Sequence, residues 1–162
     1  MLWLLTKHSK LRMYQTLVRP VVTYAYETWV LKENIKMKLR VFERKILRRI
    51  FGPVKERDGT WRIKTNEELE RLTDNKNIIN YIKAQRLAWF GYVHRMPDNK
   101  MVKKIYEWSP ATTRSVGRPK NRWEDDVKSD FARMQLTNWK SCIKEQTKWK
   151  AFVEEAKTSL KL

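Results

Sequence analysis

The chain has 162 residues, enough for one domain or two small ones, and its 41% hydrophobic content with 8 Trp excludes an intrinsically disordered chain. With only 4 Gly and 5 Pro there is little room for the turns of an all-β fold. Thirty-six Lys+Arg against 18 Asp+Glu give a formal net charge of +18, an excess that attracts polyanions, nucleic acid first and an anionic membrane second.

The spacing predicts a first helix from Ser9 to Arg19, with Leu11, Tyr14, Leu17 and Val18 on one face and Pro20 as its break. Pro20 then suits the first position of a second helix, Val21 to Leu31. Asn34 is the expected cap of the clearest helix, Ile35 to Phe51, where Ile35, Leu39, Phe42, Ile46 and Ile50 form one apolar stripe. Its other faces carry Lys36, Lys38, Arg40, Arg44, Lys45, Arg48 and Arg49, with Glu43 as the one acid among them, and Gly52-Pro53 stops it.

Asp58-Gly59 between two short β-favouring runs signals a two-residue hairpin within about residues 54–64. Thr65 or Asn66 caps a short helix through Leu72, with Glu67 and Glu68 in its first turn. A longer helix follows from Asn77 to Arg95, its stripe made by Ile78, Ile82, Trp89 and Val93 and widened by Ile79, Tyr81, Phe90 and Tyr92. Met101 to Trp108 reads as a short helix. Residues 109–121 form a basic linker rich in helix breakers. Three apolar groups then mark helices: Trp123, Val127, Phe131 and Met134; Trp139 and Ile143 behind an Asn138 cap; and Trp149, Phe152, Val153 and Ala156.

The fold class expected is therefore mainly α: a helical region with one small hairpin over 1–108, the basic linker 109–121, and a C-terminal helical unit over 122–162. Charge separates these parts. Residues 100–122 carry seven Lys/Arg and one acid, whereas 123–157 carry seven of each. Trp89, Trp123, Trp139 and Trp149 fall on apolar stripes and are expected in the core; Trp61, in the hairpin, is the least committed.

Several segments carry a resemblance. They are Tyr14-Gln-Thr-Leu-Val-Arg-Pro-Val-Val-Thr-Tyr-Ala-Tyr-Glu-Thr-Trp29, Leu39-Arg-Val-Phe-Glu-Arg-Lys-Ile-Leu-Arg-Arg-Ile-Phe-Gly-Pro53, Asp58-Gly-Thr-Trp-Arg-Ile63 and Ala84-Gln-Arg-Leu-Ala-Trp-Phe-Gly-Tyr-Val-His-Arg-Met96. Gly117-Arg-Pro-Lys-Asn-Arg-Trp-Glu-Asp-Asp-Val127 and the Trp149 to Lys157 ending complete the set. In this order they resemble the region that follows the catalytic palm in the reverse transcriptases of non-LTR (LINE-type) retrotransposons. The resemblance implies a thumb-like helical region with a helical extension, which in the parent enzyme would hold template and primer. Ala25 stands where that family usually has Gly, which implies a loosened helix contact there.

The residues show no catalytic set. Polymerase chemistry needs carboxylates on adjacent strands around two metal ions. Trp123-Glu-Asp-Asp126 superficially matches the family's aromatic-X-Asp-Asp signature, but it follows a basic linker and opens a helix, where acids suit the positive end. His8, His94 and Cys142 are too scattered for a zinc site, and His94 is expected to pack or cap its helix end. No P-loop, Rossmann glycine pattern or nucleophilic triad appears. The expectation is thus a catalytically incomplete segment with no cofactor and no metal.

What remains is binding. Lys36, Lys38, Arg40, Arg44, Lys45, Arg48 and Arg49 on the helix, with Arg114, Arg118, Lys120 and Arg122 in and after the linker, are the expected phosphate contacts to RNA or DNA, with little sequence preference. Gly117-Arg118-Pro119 resembles the core of an AT-hook. A helical protein-interaction module without a nucleic-acid role is the alternative. Cys142 alone forms no disulfide framework, no run approaches the ~18 apolar residues of a membrane span, and Met1 to Leu5 is too short for a signal peptide. A nuclear or cytoplasmic location, not secretion, and no membrane partner are expected.

Overall fold

The computed structural model describes residues 5–74, 76–109, 117 and 122–159. Helix α1 (Lys7–Met13) opens on Thr6, whose hydroxyl accepts a hydrogen bond from the Ser9 amide. Pro20 does not break the path as the sequence suggests. A π-helical stretch, Tyr14–Val18, leads into α2 (Arg19–Val22), and the Arg19 amide donates to the Tyr14 carbonyl five residues back. The wider turn just ahead of Pro20 gives its ring room against the preceding carbonyls.

The second helix ends at Val22 instead of reaching Leu31. Val21, Val22, Thr23 and Tyr24 are weak helix formers, and Ala25 adopts a left-handed backbone (φ 60°, ψ 5°) that leads into a 3-10 turn, Tyr26–Thr28. An alanine there pays the steric cost that glycine avoids. The constraint at this position is a backbone conformation, not a helix–helix contact.

Helix α3 (Glu33–Phe51) starts before Asn34, with Lys32 in the cap position, and ends on Gly52 at φ 70°. Strands β1 (Val54–Lys55) and β2 (Trp61–Arg62) pair antiparallel, Val54 opposite Arg62 and Lys55 opposite Trp61. Their connection is longer than the two residues the sequence suggests. The Glu56 amide donates to the Thr60 carbonyl (2.8 Å), which leaves Arg57-Asp58-Gly59 as the loop, with Gly59 at φ 86°. This is the three-residue arrangement that places glycine at the left-handed position. Helix α4 (Asn66–Leu72) begins with a complete capping box between Thr65 and Glu68.

Helix α5 (Ile78–Arg95) is the centre of the molecule. It begins on Asn77, whose side chain accepts from the Asn80 amide (2.8 Å), and it is buried around most of its circumference. Near its start Ile78, Ile79 and Ile82 pack with Leu31 and Leu39. Further along, Ala84, Leu87 and Phe90 pack with Val127, Phe131, Ile143, Trp149 and Phe152. The second group belongs to α7 (Trp123–Arg133), α8 (Trp139–Lys144) and α9 (Gln146–Thr158), so packing crosses the 109–121 segment and binds the C-terminal helices to α5. Helix α6 (Met101–Glu107) lies between, and Lys103 from it donates to the His94 carbonyl (3.0 Å) at the end of α5.

Close approach of α9 to α5 requires Gly91. A Cβ at that position would collide with the Trp149 indole nitrogen, which donates to the Leu87 carbonyl (3.1 Å). Trp149 is in the core, and Trp123 and Trp139 pack partly buried against it. Trp89 departs from expectation, being 39% exposed. The reason is that α5 turns two cations inward on the face beside its isoleucines. Lys83 and Arg86 are buried, and Asp130 of α7 accepts from both, from Lys83 at 2.7 Å. Arg86 also reaches Asp126 (3.3 Å). Asn138 precedes α8, yet its side chain makes no capping bond.

Two substitutions test this account. Ala25→Gly should raise stability by about 1 kcal/mol, because glycine adopts left-handed φ without the Cβ penalty; a neutral or lower urea midpoint would refute the strained position. Asp130→Ala should cost about 3–5 kcal/mol, because it leaves two buried cations without their shared carboxylate. A loss below about 1 kcal/mol in the same unfolding assay would show that the cations are hydrated instead.

Candidate nucleic-acid interface

Helix α3 is docked by an acid. Glu43, on the face between Leu39 and Leu47, is buried, and its carboxylate accepts from the Ile78 amide (2.9 Å) and the Tyr14 hydroxyl (3.0 Å). The Ile78 N–H is one of the free donors at the start of α5, where a carboxylate is favoured. Burial pushes the Glu43 carboxyl above its ordinary range, against the two hydrogen bonds that lower it. Burial, followed by the Glu43 charge, likewise raises the Tyr14 hydroxyl. Arg19 stacks over the Tyr81 ring at 4.1 Å and adds a further tie between α2 and α5.

With α3 fixed this way, its cations separate into two groups. Lys36 pairs with Glu33 (2.6 Å), Arg44 with Glu70 (3.3 Å), and Arg48 donates to the Lys64 carbonyl (3.3 Å) and the Asn66 side chain (2.9 Å). These three brace the start of α3 and its seam with α4. Lys38, Arg40, Lys45 and Arg49 are exposed and carry no hydrogen bond or ion pair among the described residues. Arg40 borders the α3–α4 cleft near Arg44. Lys38, Lys45 and Arg49, seven and four residues apart, share the outer face of α3. At ~1.5 Å rise per residue they span about 16 Å along the axis.

The surroundings add charge that the sequence reading left out. Helix α1 lies beside α3, and Lys10 joins Arg49 at the rim of a groove floored by Met13, Val18, Ile46 and Ile50. Residues 5–53 hold twelve Lys/Arg and three acids, Glu27, Glu33 and Glu43. Glu43 is buried and Glu33 is paired, so little negative charge offsets the exposed cations. The missing signal was available: the first acid in the chain is Glu27.

Of the residues expected in and after the linker, Arg114, Arg118 and Lys120 lie outside the described residues. Arg122 is exposed and immediately precedes α7. The Glu124-Asp125-Asp126 run forms the first turn of that helix. Glu124 pairs with Lys128 (2.8 Å), and Asp126 with Arg86, a tertiary partner that sequence reasoning missed. Among the described residues no group of three or more His, Cys, Asp and Glu is placed to hold a metal ion. His94 packs on Phe90 with ring centroids 4.0 Å apart, and burial lowers its pKa. No described helix is long and apolar enough to cross a membrane.

The chain is 24% identical over 163 aligned residues to an uncharacterized transposon-derived protein of Caenorhabditis elegans, covering 94% of this chain and 57% of that protein. The chain thus spans little more than half the length of the curated relative it matches. The relationship is to a transposon-derived protein, and its distance leaves the activity to be argued from the residues. No protein-family model and no solved structure matches.

The Glu43 anchor has a defined pH signature. Because its folded-state pKa is raised, the stability contributed by its protonated form is present below the unfolded pKa and is lost as pH rises through the folded one. Glu43→Gln removes that titration. From about pH 4 to pH 8 the wild type should therefore lose stability relative to Glu43→Gln in parallel urea titrations. A pH-independent difference, or one of opposite sign, would contradict the buried-carboxylate assignment.

Proposed function

We propose that this chain is a nucleic-acid-gripping segment of transposon origin, corresponding to the thumb and post-thumb region of a non-LTR reverse transcriptase and carrying no polymerase catalysis of its own. The observation that carries the reading is the outer face of α3, where Lys38, Lys45 and Arg49 stand exposed and, among the described residues, unpaired on a helix anchored from behind by Glu43. Unpaired cations on a rigid helix meet phosphates without first breaking internal ion pairs. The segments resembling LINE-type enzymes and the transposon-derived relative support the ancestry. The net charge of +18 supports a polyanionic partner, RNA or DNA, in the nucleus or cytoplasm.

The structure changes which cations carry the proposal. Arg44 and Arg48 have protein partners, so reversing their charge would disturb the α3–α4 seam as well as any interface. Arg40 belongs to that seam's edge. A second reading, docking of a protein partner, draws on Leu17, Val21 and Tyr24, which are 60%, 76% and 84% exposed along the first helical path.

Fluorescence anisotropy with duplex DNA, an RNA–DNA hybrid and a single strand tests the choice. Lys38→Glu, Lys45→Glu and Arg49→Glu combined should lower affinity at least about tenfold and flatten the log–log salt slope by about 2 to 3 units. A wild type that binds none of the three at low salt yet forms a discrete protein complex would favour the second reading.

A further inference from the structure

Helix α5 exposes Gln85, Trp89 and Tyr92 while nearly all its other residues are buried or half-buried. Trp89 and Tyr92 are 39% and 54% exposed, with ring centroids 5.7 Å apart and planes inclined by 36°. Two large rings side by side at a helix surface present far more apolar area to water than packing requires. Neither belongs to the hydrophobic clusters on either side of α5.

Beside Tyr92 an open groove of about 750 Å³ runs between Met96, Lys100, Met101 and Gln146. It shares Arg95 and Gln146 with a second groove of about 270 Å³ that follows the α5–α9 seam past Gln85 and Lys150 to Lys157. Together they make one trough along α5; Tyr92 lines it, and Trp89 stands beside Tyr92 outside the lining. Its cations are Arg95, Lys100, Lys150 and Lys157, and its one acid, Glu154, is paired with Lys157 (2.6 Å). Arg95 donates to the Ile143 carbonyl (3.1 Å), whereas Lys100 and Lys150 are exposed and unpaired among the described residues.

We infer that this trough is a binding site for an unpaired nucleic-acid strand, its bases stacking on Trp89 and Tyr92 and its phosphates meeting Lys100 and Lys150. The inference rests on the nucleic-acid reading above and assigns a second surface to it, separate from the outer face of α3. A strand with free bases uses both the ring pair and the cations of the adjoining trough, because each base has a face to stack and each phosphate a charge to pair. A duplex hides its bases and uses only the cations. An acidic peptide likewise matches the cations but leaves the ring pair without a counterpart. The two glutamines in the trough, Gln85 and Gln146, add amide groups able to donate to and accept from base edges.

The experiment uses the full chain with fluorescein-labelled single strands, oligo-dT and oligo-rU, and a duplex of the same length. Trp89→Ala with Tyr92→Ala should weaken single-strand binding about tenfold or more and leave duplex affinity within about twofold. Trp89→Phe with Tyr92→Phe should restore most of the loss. Lys100→Gln with Lys150→Gln should flatten the salt dependence for single strands. Photo-crosslinking of a 5-bromouracil strand to the wild type, read by mass spectrometry, should map to residues 87–96 and needs no folded variant.

Equal losses on both substrates, no loss, or crosslinks confined elsewhere would overturn the trough assignment. If the α3 charge reversal abolishes binding while the aromatic variant changes nothing, this inference alone fails. If the wild type binds neither substrate, or captures only an acidic peptide such as poly-glutamate, the nucleic-acid reading fails with it.

Discussion

Asp130 lets the middle of α5 be buried. Lys83 and Arg86 sit at 2% and 1% relative exposure of their side chains, and a cation taken that far from water costs several kcal/mol unless a counter-charge goes with it. Asp130 supplies that charge to both, and Asp126 gives Arg86 a second partner. Burial still holds the Lys83 ammonium below its ordinary pKa, with Asp130 acting against the shift. The shared carboxylate sets the rotation of α5 about its axis. With the 83 and 86 positions facing α7, Trp89 and Tyr92 are left at the outer side of α5.

That rotation organises the rest. One end of α5 closes a small core with α3, and the other closes an aromatic core with α7, α8 and α9. Hydrogen bonds between distant parts of the chain reinforce the arrangement: Trp123 donates to the Glu27 carbonyl (2.7 Å) and Asn80 to the Ser159 carbonyl (2.7 Å). The outer face of α3 and the trough along α5 are therefore presented by one packed body, joined where Glu43 meets the first turn of α5. In the proposed reading, a grip on phosphates and a platform for bases keep a fixed relation, as holding a nucleic acid requires.

Much of the helical plan was legible in the residues. The stop of α3 at Gly52 and the cap of α4 at Thr65 each depend on neighbours within a few positions, where local geometry decides the outcome. Periodicity failed where polar or aromatic residues had tertiary roles. Glu43 read as one more surface charge and became an anchor. Trp89 read as core and lies outside, because a stripe wide enough to hold eight apolar residues does not say which edge meets the partner helix. Pro20 read as a break, yet a π-helical turn absorbed it.

The candidate site divides the same way. By itself the sequence determined that α3 would be a helix rich in cations and that the chain would carry a large positive charge, since both follow from composition and spacing. It also determined which segments resemble LINE-type enzymes. Only the tertiary structure decided which cations remain available. Arg44 and Arg48 are indistinguishable from Lys45 and Arg49 along the chain, but α4 folds back against the first pair and leaves the second in water. Pairing depends on what arrives from 16 to 26 residues away, and no local pattern on a helix encodes that arrival.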